Sequence, residues 1–278
     1  MDDPFRTRDH VADFDRYVAL YAERSTASRA RLRSQLDLAY GPGADEKLDL
    51  FFPDAPSGAV HLFIHGGYWR MFAKSDFSFI ADTVTAAGAI AAVMDYSLMP
   101  AVRMETLVGQ VERAALWLSS NAREFGGDRL RLSVSGHSAG AHLGALLLAR
   151  QPGLFSDSLL LSGIYDLAPL QTSFLQSQIG LTDTEVQHFS PLTHPPAPSG
   201  TIRILVGEHE TAPFREQAAR LAQRVGSGVT SIAGGNHMSV ALDLGDPASD
   251  TGKALFGICA KTPALGPTQR AAQQQQQQ

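Results

Sequence analysis

The chain has 278 residues, 44% hydrophobic and 18% charged, which is enough apolar material to bury a sizeable core. A net charge of −5 without any Lys/Arg cluster excludes a nucleic-acid footprint, and no apolar run approaches the ~20 residues needed to span a bilayer. The single cysteine, Cys259, excludes a disulfide framework within the chain and points to a reducing, cytoplasmic compartment, while the acidic start Met1-Asp-Asp-Pro-Phe5 lacks the apolar centre of a signal peptide.

In chain order, residues 10–35 carry Phe14, Tyr17, Val18 and Tyr21 at helical spacing. Leu36–Tyr40 and Lys47–Phe52 read as an antiparallel hairpin joined across the turn Gly41–Asp45. From residue 59 onward, apolar strands alternate with longer helical segments. The strands are Val60–Ile64, Ala89–Met94, Arg131–Val134, Ser158–Leu161, Thr201–Val206 and Val229–Ile232. Phe77/Ile80/Val84, Leu107 to Leu118, residues 139–149 and Phe214–Val225 supply the helices between them. Such alternation predicts an α/β fold, a mostly parallel sheet with helices on both faces, within one domain spanning 1–270. Residues 164–199, rich in Pro, Gln, Ser and Thr, break this rhythm and are expected to be a small cap insertion or a plain surface excursion. The low-complexity tail 271–278 is expected to be disordered.

Two stretches carry chemistry. Gly136-His-Ser138-Ala-Gly140 is a G-x-S-x-G pattern after a strand and before a helix, the context of a nucleophile elbow. Glycines permit the sharp turn that lifts the Ser138 hydroxyl over the sheet end, whereas a simple N-cap serine needs neither of them. The second is His65-Gly66-Gly67-Tyr68-Trp69, directly after the strand Val60–Ile64. Acyl transfer requires N–H donors for the oxyanion, and here they are expected from Ala139 with Gly66 or Gly67. Without such a role, the pair of glycines would be an ordinary turn.

A nucleophilic serine needs a base, oriented by a carboxylate, in the chain order serine, acid, histidine. Of nine histidines, His10, His61 and His65 precede the serine. His65 is expected to brace the glycine loop, His137 to point away from the attack direction, and His142 to lie on a helix face. His188 and His194 fall in the insertion. His237, in the loop Ala233-Gly-Gly-Asn-His237 after the last strand, is the expected base. The loop Gly207-Glu208-His209-Glu210 offers two acids, and Asp166 is a third.

Together, His65–Trp69, Gly136–Leu143, Val206–Glu210 with Phe214–Gln217, and Asn236-His237 resemble the α/β-hydrolase superfamily and, within it, the kynurenine formamidase (arylformamidase) group. The resemblance spans residues ~60–240 and implies an α/β-hydrolase fold. It places the acid three residues beyond Gly207, at Glu210, where the family usually carries aspartate. It implies cleavage of N-formyl-L-kynurenine or a related aryl formamide through an acyl-enzyme. Tyr68 and Trp69, with Phe72, would form an aromatic wall for the substrate, and Arg103 is a conceivable partner for its carboxylate. Asp95-Tyr96-Ser-Leu-Met-Pro100 resembles an esterase pattern, so a carboxylesterase of broad taste is the alternative. An inactive hydrolase-fold ligand-binding protein is the alternative of another class. No metal-ligand spacing or dinucleotide fingerprint is present, so no metal or cofactor is expected. The expected partner is a small-molecule substrate, with neither nucleic acid nor membrane; a homodimer is left open.

Overall fold

A computed structural model describes residues 3–197 and 200–260. One eight-stranded sheet runs in the order β1 (Ser34–Ala39), β2 (Lys47–Phe51), β4 (Ile90–Met94), β3 (Val60–Ile64), β5 (Leu132–His137), β6 (Asp157–Leu161), β7 (Thr201–Gly207) and β8 (Val229–Ile232). β2 pairs antiparallel with both β1 and β4, and every pair from β4 to β8 is parallel. The linkers dictate this arrangement. A short turn can only reverse the chain, whereas a helical crossover returns it in the same direction.

The helices are α1 (Thr7–His10), α2 (Phe14–Arg31), α3 (Ala81–Ala86), α4 (Met104–Asn121), α5 (Ala139–Arg150), α6 (Gln176–Ile179), α7 (Asp183–Phe189), α8 (Ala212–Val225), α9 (Ser239–Leu242) and α10 (Asp250–Ala260). Successive strand residues point to opposite faces, so the inner strands feed two cores, while the edge strands β1 and β8 are largely exposed. Leu62, Ile64, Leu160, Ile204 and Val206 pack with α4, α5 and α8. Phe63, Leu159, Leu161 and Leu205 pack on the other face with residues of α2, α3 and α10. Burial on both faces is why these strands read as unbroken apolar runs rather than alternating ones.

The helical pattern expected over 10–35 is shorter than its periodicity suggested. Asp13 adopts a left-handed conformation (φ 56°) that separates α1 from α2, and β1 begins at Ser34. The insertion 164–199 holds a short 3₁₀ turn, Ala168–Thr172, then α6 and α7. Thr182 and Glu185 form a capping box at the start of α7. Among the described residues no helix is long and apolar enough to cross a membrane. The tail 271–278 lies outside the described residues.

Candidate active site

β5 runs straight into a strained turn. Ser138 has φ 56° and ψ −119°, a conformation disfavoured for a residue with a side chain and sustained only where the surroundings impose it. Gly136 and Gly140 make room for it. A Cβ on Gly136 would stand 2.3 Å from the Gly140 carbonyl oxygen, and one on Gly140 would stand 2.0 Å from that of Ile64. Gly140→Ala is therefore expected to lower folding stability by about 3 kcal/mol, the upper end for overpacking. Urea denaturation measures this, and a loss below about 1 kcal/mol would mean that β3 and α5 can part at little cost.

The structure brings Ser138, His237 and Glu210 together. His237 Nε2 lies 3.0 Å from Ser138 Oγ, and Nδ1 lies 2.7 Å from Glu210 Oε2. A carboxylate only accepts, so Nδ1 carries the proton and Nε2 presents its lone pair to the hydroxyl. All three side chains are buried, Ser138 to 2% exposure. The second Glu210 oxygen accepts from the Gly207 N–H at 2.9 Å and from the Ser162 hydroxyl. The longer glutamate chain is accommodated over Gly207, where a Cβ would come within 3.2 Å of Glu210 Cγ.

The loop bearing His237 is held from several sides. Asn236 Oδ1 accepts from the N–H groups of Met238 (2.9 Å) and Ser239 (2.8 Å), a turn typical of asparagine. Tyr21 on α2 donates to the Met238 carbonyl at 2.7 Å. Phe214 on α8 packs on the His237 ring, centroids 4.6 Å apart.

Beside the elbow, a Cβ on Gly66 would lie 3.2 Å from Ser138 Cβ, so the glycine loop passes directly against the serine. Among the described residues no acceptor engages the N–H of Gly66, Gly67 or Ala139. His65 fixes the loop: its Nδ1 donates to the Gly66 carbonyl (2.8 Å), and its ring stacks on Tyr96 at 4.3 Å. Tyr96 in turn donates to the His65 carbonyl at 2.8 Å. Burial pushes the His65 imidazole down to about 4, keeping it neutral at physiological pH.

The other expected residues divide between the cavity and the surrounding structure. Tyr68 borders the small cavity at Ser138, its hydroxyl donating to the Phe5 carbonyl. Trp69 does not line it. Both residues have positive φ (50° and 58°), and this tight turn sends Trp69 inward, where it is fully buried and donates from Nε1 to His142 Nδ1 at 3.1 Å. His142 hands its own Nε2–H to the Phe189 carbonyl (2.7 Å), tying the glycine loop to α7. Phe72 borders the cavity. Arg103 is committed to Glu185 and to the Ile179 and Gly180 carbonyls. Glu208 is exposed and accepts from the Gly234 N–H at 2.8 Å, while Asp166 pairs with Arg220 at 3.0 Å. His137 does not point away: it borders the cavity and its Nε2 lies 2.9 Å from the His237 carbonyl oxygen.

The cavity over Ser138 measures about 30 Å³, room for about two waters. Phe14, Tyr21, Tyr68, Phe72, Phe77 and Met238 give it largely apolar walls, and Thr7 lies at its edge. Among the described residues none of 164–199 borders it, whereas Thr7 and Phe14 of the N-terminal segment do. The helical spacing of Phe14 and Tyr21 signalled only that they face the core. Nothing local ties them to a serine more than a hundred positions later. Among the described residues no group of three or more His, Cys, Asp or Glu is placed to hold a metal ion.

A parallel sheet under a serine elbow, with a carboxylate-held histidine beside it, defines a serine hydrolase. A family model described as the alpha/beta hydrolase fold matches residues 61–232. The kynurenine formamidase of Danio rerio is 32% identical over 212 residues, 71% of each chain, and that of Salmo salar 28% over 215 residues, 73% of this chain and 72% of its own. A solved structure from Silicibacter sp., provisionally assigned as a thioesterase, superposes with a TM-score of 0.83 at 27% identity and covers 94% of this chain and 98% of its own. The chain belongs to the α/β-hydrolase fold family and, within it, to the group containing these kynurenine formamidases.

Proposed function

We propose that this protein is an arylformamidase, cleaving an aryl formamide such as N-formyl-L-kynurenine to formate and the free arylamine. The relation to the kynurenine formamidases over 71% of both chains carries the choice of substrate. The chemistry is supported by the contacts of His237 with Ser138 (3.0 Å) and Glu210 (2.7 Å). His237 Nε2 takes the hydroxyl proton as Ser138 Oγ bonds to the formyl carbon. The carbonyl electron pair moves onto oxygen, and the N–H groups of Ala139 and of Gly66 or Gly67 hold the charge, each donor contributing ~3–4 kcal/mol. The C–N bond then breaks while His237 passes its proton to the nitrogen, releasing the arylamine and leaving a formyl ester on Ser138. A water, deprotonated by His237, attacks that ester; formate departs and the proton returns to Ser138.

A formyl carbon carries only hydrogen, which suits a cavity of about 30 Å³. The aryl group needs more space, so Thr7 and Phe14 must yield as it enters. The buried Cys259 is in keeping with a cytoplasmic setting. Carboxylester hydrolysis is the second reading, favoured by the stretch Asp95–Pro100, which resembles an esterase pattern. Comparing kcat/KM on N-formyl-L-kynurenine with p-nitrophenyl acetate and butyrate decides between them. The formamide is expected to dominate, and an ester rate that grows with acyl length would reject the assignment.

A further inference from the structure

His137 has no task in the reaction above, yet it stands inside the site. Its ring centroid lies 4.7 Å from that of His237, and it borders the cavity at Ser138. Its Nε2 faces the His237 carbonyl oxygen at 2.9 Å; a carbonyl only accepts, so Nε2 holds the proton and Nδ1 keeps a lone pair. Burial, with His237 adjacent, holds the His137 imidazole well below its usual pKa and therefore neutral. That Nδ1 is buried and meets no donor among the described residues. Buried acceptors without partners are rare and costly, so one beside a nucleophile calls for an explanation. Its position supplies one. A Cβ on Gly66 would lie 3.1 Å from His137 Nδ1 and 3.2 Å from Ser138 Cβ, so the acceptor packs against the same glycine of the loop as the serine does.

We propose that His137 Nδ1 accepts a hydrogen bond from the N–H of the scissile formamide, and thereby favours amides over esters at this site. The inference rests on the arylformamidase reading and deepens it. A formamide brings a donor to the orphaned acceptor, whereas an ester brings an oxygen whose lone pairs face another lone pair. The contact also orients the leaving group. Once the carbon is tetrahedral, the nitrogen must turn its single lone pair toward the His237 Nε2–H, and a bond holding its N–H aside enforces that turn. An ester oxygen has a second lone pair and needs no such hold.

Formanilide and phenyl formate, which differ only by N–H against O, provide the test. His137→Gln retains an amide N–H for the His237 carbonyl but places no acceptor at the Nδ1 position. The ratio of kcat/KM on formanilide to that on phenyl formate is expected to fall about tenfold or more relative to the wild type. His137→Asn, with an amide oxygen near the Nδ1 position, is expected to keep the ratio within about threefold of the wild type whatever its common loss. Fluorophosphonate labelling of Ser138 counts folded sites in each variant, so rates are compared per active site. An equal loss on both substrates in His137→Gln would overturn the proposal and leave His137 as a brace for His237. A wild-type enzyme that turned over phenyl formate but not formanilide would instead overturn the arylformamidase reading, and this inference with it.

Discussion

Ser138→Ala is expected to lower kcat on an aryl formamide by about 10⁴- to 10⁶-fold while leaving the fold intact. The magnitude follows from the mechanism. Without Oγ there is no covalent intermediate, and His237 has nothing to deprotonate except water. The residual rate would come from the oxyanion donors and from substrate positioning, which survive the substitution. Steady-state kinetics with a purified variant of unchanged circular dichroism measures it. A loss below about a hundredfold would show that another group attacks the formyl carbon. Failure of a fluorophosphonate to label the wild-type serine would point instead to a binding protein that has lost hydrolysis.

Glu210→Gln is expected to cost about 10⁴-fold in kcat, and Glu208→Gln less than about threefold. Glu210 holds the His237 Nδ1–H at 2.7 Å, which selects the tautomer with a basic Nε2 and steadies the imidazolium formed during attack. The amide of glutamine can turn its N–H₂ toward Nδ1, which favours the other tautomer and removes the base. Glu208 is exposed, its carboxylate accepts from the Gly234 N–H, and the His237 ring is held by Glu210 instead. Equal or reversed losses for the two variants would dismiss Glu210 as the orienting carboxylate.

Much of this was legible in the chain because the signals are local. The inner strands β3 and β4 appear as largely apolar runs, since burial on both faces demands it. The elbow and the glycine loop are readable because their backbone shapes need particular residues at fixed offsets: Gly136 and Gly140 admit only hydrogen where a Cβ would strike a carbonyl. Glu210 could be singled out by resemblance alone. Spacing offered Glu208 equally well, and only three dimensions show which of the two turns inward.

Other features had no local signal. Trp69 looked like a substrate wall beside Tyr68, but its left-handed backbone turns the indole into the core, where a hydrogen bond to His142 keeps it away from the cavity. The insertion 164–199 stood in the right place to cap the serine, yet Thr7 and Phe14 occupy that position. His137 was read as facing away from the chemistry, and the fold turns it against His237.

The sequence by itself determined the sheet, the elbow at Ser138, the glycine loop at Gly66-Gly67 and the chain order of Ser138, Glu210 and His237. Periodicity, turn geometry and the absence of a Cβ act over a few residues and so leave a mark that can be read. Only the tertiary structure decided which side chains share the cavity, which acid reaches the histidine and which imidazole lacks a partner. Those outcomes depend on packing between segments more than two hundred residues apart, such as Tyr21 against Met238, and no short-range pattern encodes which of them will meet.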